Sequence, residues 1–158
     1  MLQKLEQEMS LVQEFNHSSS LIMIELSKSL VSEIGNDKAA VLMIRTIARL
    51  LMKTSRRSDL VAHYGNGVFA MILKHTDLKS AEKASERLCD LVSSSNFFLA
   101  EREINLKISI GIKAVMPEQG VEEQVIAAVD AMSAADKTSV GYKIHDEPAA
   151  PAEEDKES

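Results

Sequence analysis

Two charged residues near the middle of the chain, Arg56 and Asp59, have the types and the spacing to bind a polar ligand. An arginine guanidinium presents a planar fork of N–H donors that fits phosphate and the edges of nucleobases, and an aspartate accepts from base N–H groups. Arg87 and Lys83 lie four residues apart, and so on one helix face, where they could add donors. Because Arg-x-x-Asp is frequent by chance, a second interpretation stays open, in which Asp59 fixes the start of a strand and Arg56 is a solvated cation at a helix end.

Glu25 is another candidate for chemistry, because it stands near the end of a short apolar run, residues 21–26, of the kind a buried strand shows. A carboxylate in this position could hold a metal ion or be a solvated charge. One carboxylate alone does not organise two hard cations, since each cation prefers several oxygen ligands. A two-metal centre would therefore need further acids.

Residues 60–73 contain two β-prone, mostly apolar runs that meet at Gly65-Asn66-Gly67. Asn followed by Gly between two such runs is the strongest short-range signal for a β-hairpin, because both residues tolerate the positive φ of a tight turn. The sequence therefore predicts a hairpin with its turn at these three residues.

Apolar residues at helical spacing predict four helices, and short apolar runs predict further strands. The predicted helices are residues 2–14, 39–53, 77–93 and 122–137, with Asn36 or Asp37 as the N-cap of the second. The further strands are residues 21–26, 97–100, 104–112 and 142–144, with a turn at Glu101-Arg102. The amphipathic first helix is expected to pack on its own sheet or on a second copy of the chain.

Composition limits the chain to one globular domain and narrows its partners. It has 158 residues, 45% of them hydrophobic and 27% charged, which is enough for one core. A net charge of −6 and a pI near 5.3 argue against nucleic acid as a partner. No apolar stretch approaches the roughly eighteen residues of a membrane span. The single Cys89 excludes an internal disulfide and fits a cytoplasmic protein.

The chain divides into three predicted segments. Residues 1–19 form an N-terminal helix and linker, and residues 20–145 form the folded domain. Residues 146–158 are rich in proline, alanine and acids, which predicts a disordered acidic tail.

The hairpin and its flanks resemble the GGDEF domains, the diguanylate cyclases that make cyclic di-GMP. Arg56-Arg57-Ser58-Asp59, five further residues and then Gly65-Asn66-Gly67-Val68-Phe69-Ala70 follow the family's order. Ser109-Ile110-Gly111-Ile112 is similar to the family's Ser-Ile-Gly-Val/Ile strand, and Ala84-Ser85-Glu86-Arg87-Leu88 to its Ala-Glu-Arg-Ile/Leu stretch. The resemblance covers residues 20–144 and implies an α+β fold, with a central, mostly antiparallel five-stranded sheet flanked by helices and related to nucleotide-cyclase palms.

The resemblance also implies a degenerate member of the family without cyclase activity. The family carries Gly-Gly-acid-Glu-Phe in the hairpin and metal-binding acids after the first strand. The corresponding positions here are Glu25, Ser27, Gly65, Asn66, Gly67 and Val68. Phosphoryl transfer needs two metal ions held by carboxylates, and Gly67 and Val68 can neither coordinate a metal nor accept a proton. We therefore expect no enzyme activity, no catalytic residues, no metal and no cofactor.

A second nucleotide site of the family is retained in outline. In many GGDEF domains an Arg-x-x-Asp motif before the hairpin binds cyclic di-GMP as an inhibitor, helped by an arginine of the following helix. Arg56 and Asp59 match that motif, Arg87 stands in the helper position, and Lys83 lies one turn away. The resemblance thus implies cyclic di-GMP as the ligand and a protein partner or effector that receives the signal.

Two classes of function remain open at this point. In the first, the chain is a regulatory receptor module that responds to cyclic di-GMP. In the second, it is a nucleotide-independent protein–protein interaction or dimerisation domain in bacterial signalling, which could form a homodimer. A third interpretation, a GTP-binding regulator without turnover, would give a role to Lys137.

Overall fold

The computed structural model describes residues 2–26, 37–65, 67–99, 101–136 and 141–145. The helices in these ranges are α1 (Leu2–Phe15), α2 (Asp37–Thr54), α3 (Leu78–Ser94) and α4 (Val121–Ala135). The strands are β1 (Ser20–Leu26), β2 (Leu60–Gly65), β3 (Val68–Leu73), β4 (Phe97–Leu99), β5 (Arg102–Ile104), β6 (Ile108–Ala114) and β7 (Tyr142–Ile144). None of these helices is long and apolar enough to cross a membrane.

Five of the strands form one sheet in the order β2-β3-β1-β6-β7. β1 lies in the centre and pairs antiparallel with both β3 and β6, whereas β7 runs parallel to β6 at one edge. The predicted α+β architecture, a mostly antiparallel five-stranded sheet flanked by helices, is therefore confirmed.

Helices cover both faces of this sheet, which explains why β1 is apolar at almost every position. Successive side chains of a strand point to opposite faces. Ile22 and Ile24 accordingly pack in a core with residues of α2 and α3, and Leu21 and Met23 pack in a second core with residues of α1 and α4. Because the second core includes Leu5 of α1, the first helix packs on its own sheet, one of the two arrangements considered from the sequence.

The predicted hairpin is formed by β2 and β3. Gly65 and Gly67 have φ values of 90° and 77°, in the left-handed region that the predicted turn requires, and Asn66 lies outside the described residues. The pairing of β2 with β3 is interrupted by an irregularity between His63 and Gly65, so that Tyr64 has no partner in the register.

The prediction of one strand over residues 104–112 is wrong. Ile104 ends β5, which pairs only with β4 in a separate two-stranded sheet, and the strand that pairs with β1 begins at Ile108. Ile104, Leu106, Ile108 and Ile110 alternate with other residues without interruption, so the pattern does not show where the chain passes from one sheet to the other. Of the predicted turn Glu101-Arg102, Glu101 has a φ of 65°, whereas Arg102 is already the first residue of β5.

Gly111 of β6 lies where α4 approaches the sheet most closely. A Cβ atom at this position would overlap the carbonyl oxygen of Ala128 and the backbone nitrogen of Met132. These are backbone atoms of a helix, so they cannot rotate away as a side chain would. Glycine is therefore required for α4 to pack on β6.

We expect Gly111→Ala to destabilise the fold, because the methyl group must push α4 away from the sheet. The loss should be about 3 kcal/mol, the upper part of the range for overpacked cores. This corresponds to a melting temperature lowered by roughly 6–12 °C in a domain of this size. Thermal unfolding followed by circular dichroism measures it.

Gly120→Ala is the matched control. The nearest atoms to a Cβ at Gly120 are those of Glu123, at 3.8 Å, and the residue has an ordinary φ of −67°. We expect a loss below about 1 kcal/mol, the cost of alanine at a helix N-cap. Equal losses in the two variants would contradict the close-packing explanation.

Candidate functional site

The turn between α2 and β2 is closed by Asp59. Its Oδ2 atom accepts a hydrogen bond from the backbone amide of Arg56 at 2.9 Å, and its own amide donates to the carbonyl oxygen of Arg56 at 3.0 Å. The side chain of Asp59 is only 4% exposed. Asp59 therefore does fix the chain just before β2, which is the structural role considered from the sequence.

The side chain of Arg56 reaches from this turn to the segment that follows β3. Its Nη2 atom lies 3.2 Å from Oδ1 of Asp59 and donates to the carbonyl oxygen of Lys74 at 2.7 Å and to Oγ1 of Thr76 at 2.5 Å. Even so, 57% of the Arg56 side chain is exposed. The guanidinium is thus held in a fixed position while much of its surface stays accessible to a ligand.

Arg56 lies on the rim of a groove of about 750 Å³, between the start of β2, the end of β3 and one side of α3. Arg56, Asp59 and Arg87, three of the four residues that the sequence singles out for ligand binding, all line this groove. Its floor is apolar and is formed by Ile22, Met71, Leu73, Leu88 and Leu91. The volume is within the usual range of small-molecule sites, about 300–1,000 Å³.

α3 presents Arg87 to the groove because its opposite face is anchored in the core. The helix begins after Asp77, whose carboxylate accepts from the amide of Ser80 at 2.8 Å, and this hydrogen bond lowers the pKa of Asp77. Arg87 is exposed and, within the described ranges, makes no ion pair or hydrogen bond through its side chain. Lys83 is also exposed but is not among the residues that line the groove.

Several further polar residues of the groove were missed from the sequence, among them His75, Thr76 and Asp90. Asp90 follows Arg87 by three residues on one helix face, so helical periodicity could have indicated it. His75 and Thr76 come close to Arg56 only through the fold, and no local pattern announces them.

The resemblance assigns Glu25, Gly65, Gly67 and Val68 to the family's catalytic centre, and these residues lie at the hairpin end of the sheet. Glu25 is half-buried and lies opposite Val68 on β3 and opposite Ser109 on β6. The amide of Leu26 donates to the carbonyl oxygen of Gly67 at 3.0 Å, so the strand end and the turn are in contact. Ser27, Asn66 and Lys137 lie outside the described residues. In the described part of the chain, no three histidine, cysteine, aspartate or glutamate side chains cluster so that they could hold a metal ion.

A second cavity, of about 420 Å³, lies between α3 and the β6–β7 edge and includes Cys89. Burial, with a smaller contribution from the neighbouring charge of Asp90, raises the pKa of the Cys89 thiol to about 11. The thiol is therefore protonated near neutral pH and is a poor nucleophile.

The chain belongs to the GGDEF family: it matches the family described as diguanylate cyclase, GGDEF domain, over residues 1–140. It is 33% identical over 115 residues to the response regulator PleD of Caulobacter vibrioides. The aligned region is 72% of this chain and 25% of PleD. It is 26% identical over 113 residues to the diguanylate cyclase DgcZ of Escherichia coli K12. The aligned region is 71% of this chain and 38% of DgcZ. The chain thus spans less than half the length of either relative.

The fold is also that of solved GGDEF domains. The GGDEF domain of DgcB from Caulobacter crescentus, solved in complex with c-di-GMP, matches with a TM-score of 0.82 at 15% identity. The match covers 92% of this chain and 85% of the DgcB chain. The family and the fold implied by the resemblance are therefore confirmed.

Asp59→Ala should destabilise the protein even without a ligand, because the Arg56 amide would lose its acceptor. We expect a loss of about 1–2 kcal/mol, typical of a broken hydrogen bond to a buried charged group. Urea unfolding measures the change. Asp130→Ala, which removes an exposed carboxylate of α4, is the control and should change stability by less than about 0.5 kcal/mol. If both variants unfold at the wild-type urea concentration, Asp59 does not hold the turn.

Proposed function

We propose that this GGDEF domain is a catalytically inactive regulatory module that binds cyclic di-GMP in the groove beside Arg56. The observation that carries the proposal is the convergence of Arg56, Asp59 and Arg87 on that one groove. Arg56 and Asp59 lie in the turn after α2, whereas Arg87 lies in α3, 31 and 28 positions further along the chain. Their meeting in a cavity of ligand size favours a binding site over a set of unrelated surface charges.

The groove offers the chemistry that a cyclic dinucleotide needs. The guanidinium groups of Arg56 and Arg87 can each donate to phosphate oxygens or to O6 and N7 of guanine. Asp59 is already hydrogen-bonded to Arg56, so the carboxylate of Asp90 is the one that can accept from the N1 and N2 donors of guanine. The apolar floor can receive the face of a base. In this proposal Lys83 contributes only long-range attraction to the phosphates, since it lies outside the groove.

Inactivity is proposed from the donors at the hairpin end of the sheet. Two magnesium ions would need several oxygen ligands between the end of β1 and the hairpin. Glu25 supplies one carboxylate there, and the residues opposite it are Val68 and Ser109. Ser109 donates to the carboxylate of Asp136 at 3.3 Å, but no third acid joins these groups within the described residues. A hydrogen atom at Gly67 and an isopropyl group at Val68 supply neither a metal ligand nor a base for the 3′ hydroxyl of GTP.

A nucleotide-independent interaction domain is the second candidate, and the outward face of α2 favours it. Val41, Leu42 and Met52 are large apolar side chains of this helix that are 48–66% exposed. Apolar side chains grouped on a surface are typical of protein-binding sites. This role does not need the groove and would survive substitution of Arg56.

We expect cyclic di-GMP to bind the wild-type protein with a micromolar dissociation constant in isothermal titration calorimetry. Arg56→Ala and Arg87→Ala should each weaken binding by roughly 10- to 100-fold, because each removes charge-assisted hydrogen bonds worth about 1.5–3 kcal/mol. Arg57→Ala removes an exposed neighbouring cation that does not line the groove, and it should bind like the wild type.

Cyclic di-AMP is the matched ligand control. It carries the same phosphates, but adenine lacks the O6 acceptor, so it should bind much more weakly than cyclic di-GMP if the bases are read. Absence of heat with either dinucleotide would refute the receptor function and leave the interaction domain. Equal binding of both would show that only the phosphates are recognised.

Purified protein incubated with GTP and Mg²⁺ or Mn²⁺ should form no cyclic di-GMP above a blank without protein. The physical reason is the missing carboxylates at Gly67 and Val68. Chromatography of the reaction with mass detection measures the product, and an active diguanylate cyclase under the same conditions is the positive control. Product above the blank would overturn the proposed inactivity.

A further inference from the structure

A small polar cluster is buried between α1 and the start of β1. Glu8 of α1 is 1% exposed. Its Oε2 atom accepts a hydrogen bond from the Ser19 hydroxyl at 2.5 Å and lies 2.9 Å from Nε2 of His17. An amphipathic helix normally turns its glutamates to water, so the burial of Glu8 needs a reason beyond the packing of α1.

The cluster continues to the segment after β3 through His75. The backbone amide of His75 donates to Oγ of Ser19 at 3.2 Å, and the rings of His17 and His75 are in contact, with centroids 4.1 Å apart. His75 has a φ of 53°, a conformation that non-glycine residues rarely adopt. The contacts with Ser19 and His17 thus meet at a residue with an unusual backbone conformation.

The same segment, residues 74–76, is the one that holds Arg56. Lys74 and Thr76 accept the two hydrogen bonds of the Arg56 guanidinium described above, and the carbonyl oxygen of Thr76 accepts from the Ser20 hydroxyl at 2.9 Å. His75 itself lines the ligand groove. The segment therefore contacts Arg56 through Lys74 and Thr76 and the α1 cluster through His75.

We propose that α1 regulates the groove through this segment, with Glu8, Ser19 and His75 as positioning residues for Arg56. The ligand-bound form of this inference rests on the function proposed above, but the physical link between α1 and Arg56 exists without a ligand. When α1 is docked, Ser19 holds the His75 amide, and the segment presents two acceptors to Arg56. When α1 moves, those acceptors shift and the guanidinium loses its fixed position.

The incomplete hydrogen bonding of the cluster suits a switch better than a rigid core. Within the described residues, Oε1 of Glu8 and Nδ1 of His17 are buried without a hydrogen-bond partner. A buried polar group that lacks a partner destabilises the docked state of α1. The free-energy difference between docked α1 and an arrangement that hydrates these atoms is therefore smaller than it would be if the contact were apolar. Coupling between two sites is reciprocal, so a ligand on Arg56 must in turn stabilise the docked α1.

The ligand-free link is tested by NMR and amide hydrogen exchange on the full chain. Arg56→Ala and Thr76→Val should shift the ring signals of His17 and accelerate exchange of the α1 amides by roughly fivefold or more, the lower end of typical coupling. Thr76→Val keeps the shape of the side chain and removes its hydroxyl. Arg57→Ala is the control and should leave both measurements unchanged.

The outcome is decisive because exchange in the central strands reports separately whether the variants are folded. If β1 and β6 stay protected and α1 exchanges as in the wild type in both test variants, the link does not exist and the proposal fails. If β1 and β6 lose protection in Arg56→Ala, the exchange of the α1 amides in Thr76→Val is the test: faster exchange supports the link, and wild-type exchange contradicts it.

The ligand-bound form is tested with Ser19→Ala, which removes the hydroxyl between Glu8 and His75 and changes no groove-lining residue. We expect it to weaken cyclic di-GMP binding by roughly fivefold. Ile112→Val lowers stability by a packing change in the sheet core and should leave the affinity unchanged, so a general loss of stability is separated from positioning. Unchanged affinity in Ser19→Ala would overturn the regulatory role. If the wild type binds no cyclic di-GMP, the proposed function fails, whereas the link is still judged by the exchange data.

Discussion

The fold depends on the burial of one strand on both faces. β1 is hydrogen-bonded to β3 and β6, and its side chains enter the two cores alternately. The antiparallel pairing with β3 places Glu25 beside the hairpin and Ser20 beside Leu73 at the other end. The two polar regions of the domain therefore lie at opposite ends of the same strand pair, about 17 Å apart along β1. The strand pair between them is held by backbone hydrogen bonds and apolar packing, which do not depend on the polar side chains at either end.

The structural contacts of Arg56 are compatible with the binding role proposed for it. Its amide and guanidinium stabilise the turn through Asp59, and the guanidinium also joins that turn to the segment after β3. A cation held in this way loses little side-chain entropy when it meets a phosphate, since its rotamer is already fixed. The contacts that look purely structural are thus what would make the arginine an effective ligand-binding group.

The elements could be predicted from the sequence where the information is local. The hairpin follows from Gly65-Asn66-Gly67, and the helices follow from their apolar period, so these predictions are confirmed within one or two residues at most ends. The break between β5 and β6 could not be predicted, because it depends on which strand each segment pairs with. Glu8 could not be predicted as buried either, since its partners Ser19 and His17 lie outside the helix that carries it.

The irregularity in β2 has a consequence for how the molecule behaves at high concentration. β2 lies at one end of the strand order, so within the described chain its outer backbone groups have no strand beside them. A straight edge of this kind is a template for pairing with another molecule. The interruption between His63 and Gly65 distorts the row of donors and acceptors, and a neighbouring sheet cannot match it along its full length. The same short distortion that shapes the hairpin therefore also disfavours edge-to-edge aggregation of the chain.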